Sequence, residues 1–302
     1  MNKDEIEAYI KAGKIAAQAR ELGRDLIKEG MSVLEICEEV EQYIIKLNAK
    51  PSFPCNISIN EIAAHYSPGL DDDLKIPKGS VIKLDIGAHI DGYISDTAIT
   101  VSLEHRFKGL VESTEIALNM AISSFKHGKK LGEIGKVIQD VIVKMGYKPI
   151  RNLGGHLISR YNLHAGIFVP NVFDRSPEVI QKDNVYAIEP FSTNGEGLVR
   201  EGGKATIFSL KSKNNKGLTE EEKHLIEVIF TRFSYLPFSE RWLSDVYETN
   251  KLREMLRTLT RKKILHEYPP LVENGKGMVA QSEHTVIVSD NQIIVTTLIN
   301  KL

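Results

Sequence analysis

Asp85 and Asp96 stand eleven residues apart in the stretch 81–101, on either side of the pair Asp91-Gly92. Between two β-rich runs, Asp-Gly is a strong hairpin signal, because a two-residue type I′ turn needs positive φ at both central positions. With 91 and 92 as the turn, cross-strand partners sum to 183, so Asp85 faces Ala98 and Asp96 lies two residues along on the same face. Both carboxylates then point the same way with Cβ atoms within about 7–8 Å, a distance at which two acids can share a pair of cations. A three-residue turn would break this register.

Three further residues have types that suit such a pair. Glu189 in Val-Tyr-Ala-Ile-Glu-Pro-Phe, Glu283 in Val-Ala-Gln-Ser-Glu-His-Thr-Val and His156 in Asn-Leu-Gly-Gly-His-Leu-Ile all lie in strand-like runs. Burying an unpaired carboxylate costs several kcal/mol, so an acid there is expected to be paired, hydrogen-bonded, exposed or bound to metal. Singly, each reads as a solvent-facing strand residue. Five together read as a divalent-metal set, and its acid-rich character argues against structural zinc. Water bridging two cations is acidified toward neutral pH and supplies a hydroxide nucleophile without Ser or Cys, which points to hydrolysis. Proton movement and oxyanion stabilisation then fall to histidines that are not ligands. His65 and His164 fit, each near the corresponding end of its half of a repeat; the remaining histidines have weaker claims, and His284, next to Glu283 on a strand, points to the opposite face.

The elements that must position these residues occur twice. Ile6, Ile10, Ile15, Ala19, Leu22 and Leu26 form a helical stripe ending at Gly30, and Ser32 with Glu35 reads as a capping box for a second helix. Helical periodicity returns over about 104–126 and 132–145. Residues 27–51 match 125–149 at eight of twenty-five positions, including Gly30/Gly128, Ile36/Ile134 and Pro51/Pro149 at a shift of 98. The runs ending at Asp85 and Glu189 align at a shift of 104. The expectation is an α/β fold of two pseudo-symmetric helix-helix-strand halves, with Asp85 and Glu189 meeting near their pseudo-twofold axis. Residues 210–270 break the pattern, with a Thr219/Glu222 capping box, a helix to about Phe233 and another over 246–263. A strand over 278–288 then carries Glu283.

The totals agree with a soluble globular protein: 302 residues, 42% hydrophobic, 26% charged, net charge −1. The charge offers no global attraction to nucleic acid or acidic lipid. No apolar run approaches the ~20 residues of a membrane span, and the charged first residues have no signal-peptide core, so the expected location is cytoplasmic. Cys37 and Cys55 are too few for a disulfide framework and read as packing residues.

The motifs Phe53-Pro-Cys-Asn-Ile-Ser-Ile-Asn-Glu-Ile-Ala-Ala-His65, Lys83-Leu-Asp-Ile-Gly with Asp96, Gly154-Gly-His156 with His164, Ala187-Ile-Glu189-Pro and Gln281-Ser-Glu283-His-Thr span most of the chain. Together they resemble the methionine aminopeptidases, specifically the type 2 branch in its short archaeal-like form. The resemblance implies a pita-bread fold around a curved antiparallel sheet, with residues 1–209 and 271–302 catalytic and 210–270 an inserted winged-helix-like subdomain. It implies two divalent ions, cobalt, manganese, iron or zinc, held by Asp85, Asp96, His156, Glu189 and Glu283. Glu189 doubles as proton acceptor, His65 and His164 contact substrate, and Phe53 forms part of the methionine pocket. The implied activity is removal of the initiator methionine from nascent chains with a small second residue, with the ribosome as a further partner. Monomer is the default, and the Arg253, Arg257, Arg261, Lys262 and Lys263 stripe reads as a solvated face rather than a nucleic-acid site. The long N-terminal extension of eukaryotic type 2 members has no counterpart here. Prolidases share the ligands but carry Glu-Pro-Gly where this chain has Glu189-Pro-Phe. Metal-free pita-bread binding proteins lack some of the five.

Overall fold

A computed structural model describes residues 1–289 and 292–299 of the chain. One unit recurs in it. α1 (Lys3–Leu26) and α2 (Val33–Lys46) build the first half, α3 (Lys108–Ser124) and α4 (Leu131–Lys144) the second. α2 and α4 are each 14 residues long and begin at 33 and 131, reproducing the offset seen in the sequence. The chain enters both in the same way. Gly30 and Gly128 sit at φ +81° and +80°, where a side chain would be strained. Their N–H groups donate to Ile76 O at 2.9 Å and Ile180 O at 2.8 Å.

Local signals explain most helix ends. Asn2 and Glu5 form a reciprocal capping box on α1. On α2 only half of the expected box forms: Ser32 Oγ accepts from Glu35 N at 3.3 Å. The helix expected from residue 104 opens as a 3-10 turn (His105–Phe107) before α3. α1 buries Ala12, Ala16, Ala17 and Ala19, small residues that let it lie close against the long hairpin. At Gly23 even a Cβ would come within 2.6 Å of Leu84 Cδ2.

That hairpin, Val81–Ile90 with Tyr93–Ser102, has the predicted register: Asp85 faces Ala98 and Gly87 faces Asp96. Asp91 and Gly92 have φ of 49° and 86°, as the tight turn demands. Asn56–Ile59 and Lys50–Pro51 extend its sheet. In the second half the order is Ile293–Val295, His284–Val288, Val185–Ile188, Gly154–Ile158, Phe168–Pro170. All strand pairings among the described residues are antiparallel.

The single strand expected over 278–288 is a correction. Val279–Gln281 pairs with Phe191–Thr193, whereas His284–Val288 pairs with Val185–Ile188. Between them Glu283 crosses to the first half, its N–H donating to Ala98 O at 2.9 Å. The acid therefore sits where the strand changes sheets.

Each half has its own apolar core, Ile36, Val40, Ile57 and Leu84 in the first and Ile134, Ile138, Tyr186 and Val286 in the second. Each such side chain contributes about 1.5–3 kcal/mol on burial. A third cluster includes Phe208, Leu225, Phe238 and Leu256. It packs α5 (Glu220–Phe233) and α6 (Thr249–Arg261) on strands Ile207–Leu210, Phe238–Ser239 and Leu265–Tyr268. Thr219 and Glu222 form the predicted capping box on α5. No helix among the described residues is long and apolar enough to cross a membrane.

Candidate metal centre

All eight residues singled out above border one cavity of about 370 Å³. The two hairpin strands present Asp85 and Asp96 to it. His156 comes from Gly154–Ile158, which pairs with Val185–Ile188 so that His156 faces Ala187, two residues before Glu189. That pairing depends on Gly155, where a Cβ would lie 2.0 Å from Ala187 O. Glu283 enters from the crossing between sheets. His284 turns away, with Nδ1 2.8 Å from Thr297 Oγ1.

One ligand atom each from Asp96, His156 and Glu283 lie within 4.8 Å of one another. His156 Nε2 is 3.6 Å from Asp96 Oδ2 and 3.7 Å from Glu189 Oε1, too far for hydrogen bonds. Gln281, fully buried, directs Nε2 at Glu189 Oε2 (3.3 Å), Asp85 Oδ2 (3.4 Å) and Glu283 Oε2 (3.4 Å). Asp85 Oδ1, Asp96 Oδ1, Glu283 Oε1 and His156 Nδ1 are buried without a hydrogen-bond partner.

Burial is the main electrostatic influence. It raises Asp85 to about 7, against the opposing donation from Gln281. Burial, then the charges of neighbouring acids, raises Asp96, Glu189 and Glu283 well above the usual carboxylate range. Burial, then His164, holds His156 neutral with a free ring lone pair. Four crowded acids, three with an orphaned oxygen, beside a neutral imidazole fit a divalent-cation donor set, because a cation would satisfy charge and lone pairs together.

His65 and His164 line the same cavity, His164 directly beside His156. His65 has φ 66°, a left-handed conformation that costs a non-glycine residue about 1–2 kcal/mol. The chain around it is anchored by Tyr66 O, which accepts from Ile57 N at 2.8 Å. Its ring meets Tyr268 edge-on at 5.7 Å, and His164 meets His156 at 4.4 Å. Burial, then His164, lowers His65 to about 4; burial, then His266, lowers His164 similarly, although its ring surface stays open to the cavity. Both are neutral near pH 7 and able to accept or relay a proton. Phe53, 6% exposed, supplies an aromatic floor.

Two residues at the site were not singled out from the sequence. Gln281 stands two residues before Glu283, so period-2 spacing in the strand expected over 278–288 would have put both on one face and could have flagged it. Tyr268 lies in the stretch assigned to the insertion, and no local signal distinguishes it.

Residues 7–290 match metallopeptidase family M24. The methionine aminopeptidase of Saccharolobus solfataricus is 57% identical over 299 residues, covering 98% of this chain and 99% of that one. That of Methanocaldococcus jannaschii is 46% identical over 296 residues, covering 97% and 99%. Among solved structures, a thermophilic Arx1 superposes with a TM-score of 0.86 at 16% identity, covering 98% of this chain and 91% of the other. The methionine aminopeptidase of Thermotoga maritima gives 0.71 at 23%, covering 98% of each. The architecture is thus the pita-bread fold, and with its acid-lined cavity it defines a metallopeptidase class of protein. The chain belongs to metallopeptidase family M24 and, within it, to the methionine aminopeptidases.

Proposed function

We propose that this chain is a type 2 methionine aminopeptidase that removes the initiator methionine from nascent chains with a small second residue. The observation that carries this reading is the convergence of Asp85, Asp96, His156, Glu189 and Glu283, with orphaned buried oxygens, at the base of a peptide-sized cavity. These five would hold two divalent cations; the donor set suits cobalt, manganese, iron or zinc. When bound, such cations lower the pKa of water toward about 7 and polarise the scissile carbonyl. Glu189 accepts the proton released by the attacking water. His65 and His164, neutral and lining the same cavity, hydrogen-bond the peptide and stabilise the negative charge developing on its carbonyl oxygen. The methionine side chain packs on Phe53, whose ring suits a flexible thioether.

The type 2 assignment is supported by the 210–270 segment, read as an inserted winged-helix-like subdomain interrupting a catalytic domain of 1–209 and 271–302. The apolar cluster around its two helices and two of its short strands, closed at the boundary by the strand Ile207–Leu210, supports that reading. Nascent N-termini, met at the ribosome in the cytoplasm by a monomer, complete the reading. The test is release of methionine from Met-Ala-Ser against cleavage of an Xaa-Pro dipeptide, with manganese or cobalt added to purified protein. Methionine release that disappears on chelation supports the proposal; Xaa-Pro cleavage alone would replace it with prolidase activity.

A further inference from the structure

A buried ion pair joins the inserted segment to the first half. Glu41 on α2 is 4% exposed and Arg241, in the 3-10 turn Glu240–Leu243, is 6% exposed. Arg241 Nη1 donates to Glu41 Oε2 at 3.0 Å and Nη2 to Oε1 at 2.8 Å. Trp242 Nε1 adds a donor to Oε2 at 2.8 Å, and Cys55 N one to Oε1 at 3.0 Å. Arg241 Nε donates to Pro68 O at 3.0 Å. Next to it, Glu240 Oε1 accepts from Leu70 N at 3.3 Å.

Two of these contacts reach the cavity walls. Cys55 lies between Phe53 and Asn56, both lining residues, and Pro68 is three residues past His65. The strained backbone of His65 persists only if its flanks are held. The chain leaving His65 is held at Tyr66 by Ile57, at Pro68 by Arg241 and at Leu70 by Glu240.

The repeat isolates what is special here. At the offset of 98, Glu41 corresponds to Gln139, whose Oε1 accepts one backbone N–H, from Phe173 at 2.8 Å. An uncharged amide satisfies the repeated architecture, so the charge appears only where the inserted segment docks. A buried ion pair is a poor source of stability, since desolvation offsets its attraction, but a bidentate fork fixes geometry closely.

We infer that the Glu41–Arg241 pair is a positioning device through which the inserted segment sets the 53–56 and 65–70 walls against the substrate. This rests on the reading of Phe53 and His65 as substrate contacts. Full-length protein, manganese-loaded for kinetics and loaded with diamagnetic zinc for the ring resonance, would be compared with the apolar double variant Glu41→Leu/Arg241→Met and with Arg241→Lys, which keeps the charge but loses the fork. Metal content and Tm establish that a variant is folded and loaded. kcat and KM on Met-Ala-Ser, and the His65 ring resonance, assigned through its loss in His65→Asn, report position. The expected result is a folded, metal-replete double variant with a shifted His65 resonance and kcat/KM lower by about tenfold or more, carried largely by KM. Arg241→Lys moves both readouts in the same direction by less. A folded, loaded double variant with native kcat, KM and His65 resonance overturns the inference; should it fail to fold, the same readouts on Arg241→Lys decide. If native protein releases no methionine, the functional reading fails, while the resonance still tests positioning.

Discussion

At the scale of single residues, the proposed ligands and the other cavity histidines should separate cleanly under mutation. Asp96→Ala or His156→Ala is expected to abolish turnover through loss of metal, measured by elemental analysis beside activity. His65→Ala should keep its metal and lower kcat by about a hundredfold. A mutant that lost activity with full metal content in the first pair would undo the ligand assignment. The protonation states give a signed prediction for metal-free protein. His65 and His164 are lowered to about 4 and His156, His89 and His284 are lowered by burial, so below the unfolded value of about 6.5 the unfolded state takes up more protons at these rings. Their contribution favours the fold as pH rises to 6.5. Asp85, Asp96, Glu189 and Glu283 are raised, so they act in the opposite sense from about pH 4 upward. Above 6.5 the unfolded histidines give up their remaining protons within about one pH unit, and the acids, which bind extra protons when folded, set the sign. Metal-free protein should therefore lose Tm between pH 6.5 and 8, whereas metal-loaded protein, with cations in place of protons, should not. A rise in metal-free Tm over that interval would contradict the account.

At the scale of elements, what was legible followed from short-range chemistry. Asp91-Gly92 set the register that puts Asp85 opposite Ala98, because the turn type leaves one pairing. Thr219 and Glu222 marked the start of α5 for the same local reason. The change of sheets at Glu283 was not legible, because period-2 alternation continues through it while the partner strands change. Gly155 shows how tightly the elements constrain the site. A Cβ there would meet Ala187 O, forcing apart the two strands that carry His156 and lead to Glu189. Gly155→Ala is expected to cost about 1–3 kcal/mol in chemical denaturation and to weaken metal binding in a titration. Unchanged stability would mean the strands separate without penalty.

At the scale of the molecule, the proposed ligands come from both halves, so bound metal should act as a fastener. A metal at a hundred times its Kd stabilises by about 2.7 kcal/mol, and in a chain this long chelation should lower Tm by roughly 4 °C. Scanning calorimetry with and without chelator checks it; identical melting curves would separate the halves' stability from the site. The duplicated architecture was legible because Gly30/Gly128 and the offset of α2 and α4 are encoded locally. The docking of residues 210–270 was not, since Glu41 and Arg241 are 200 positions apart and each reads alone as a solvated charge. The route of the strand through Glu283 has a further consequence. On the proposed ligand set, the hairpin acids emerge during the chain's own synthesis long before this last donor, so an unfinished copy would be hydrolytically silent. Competence would then be switched on by completion of the polypeptide, sparing a growing chain a half-built protease within itself.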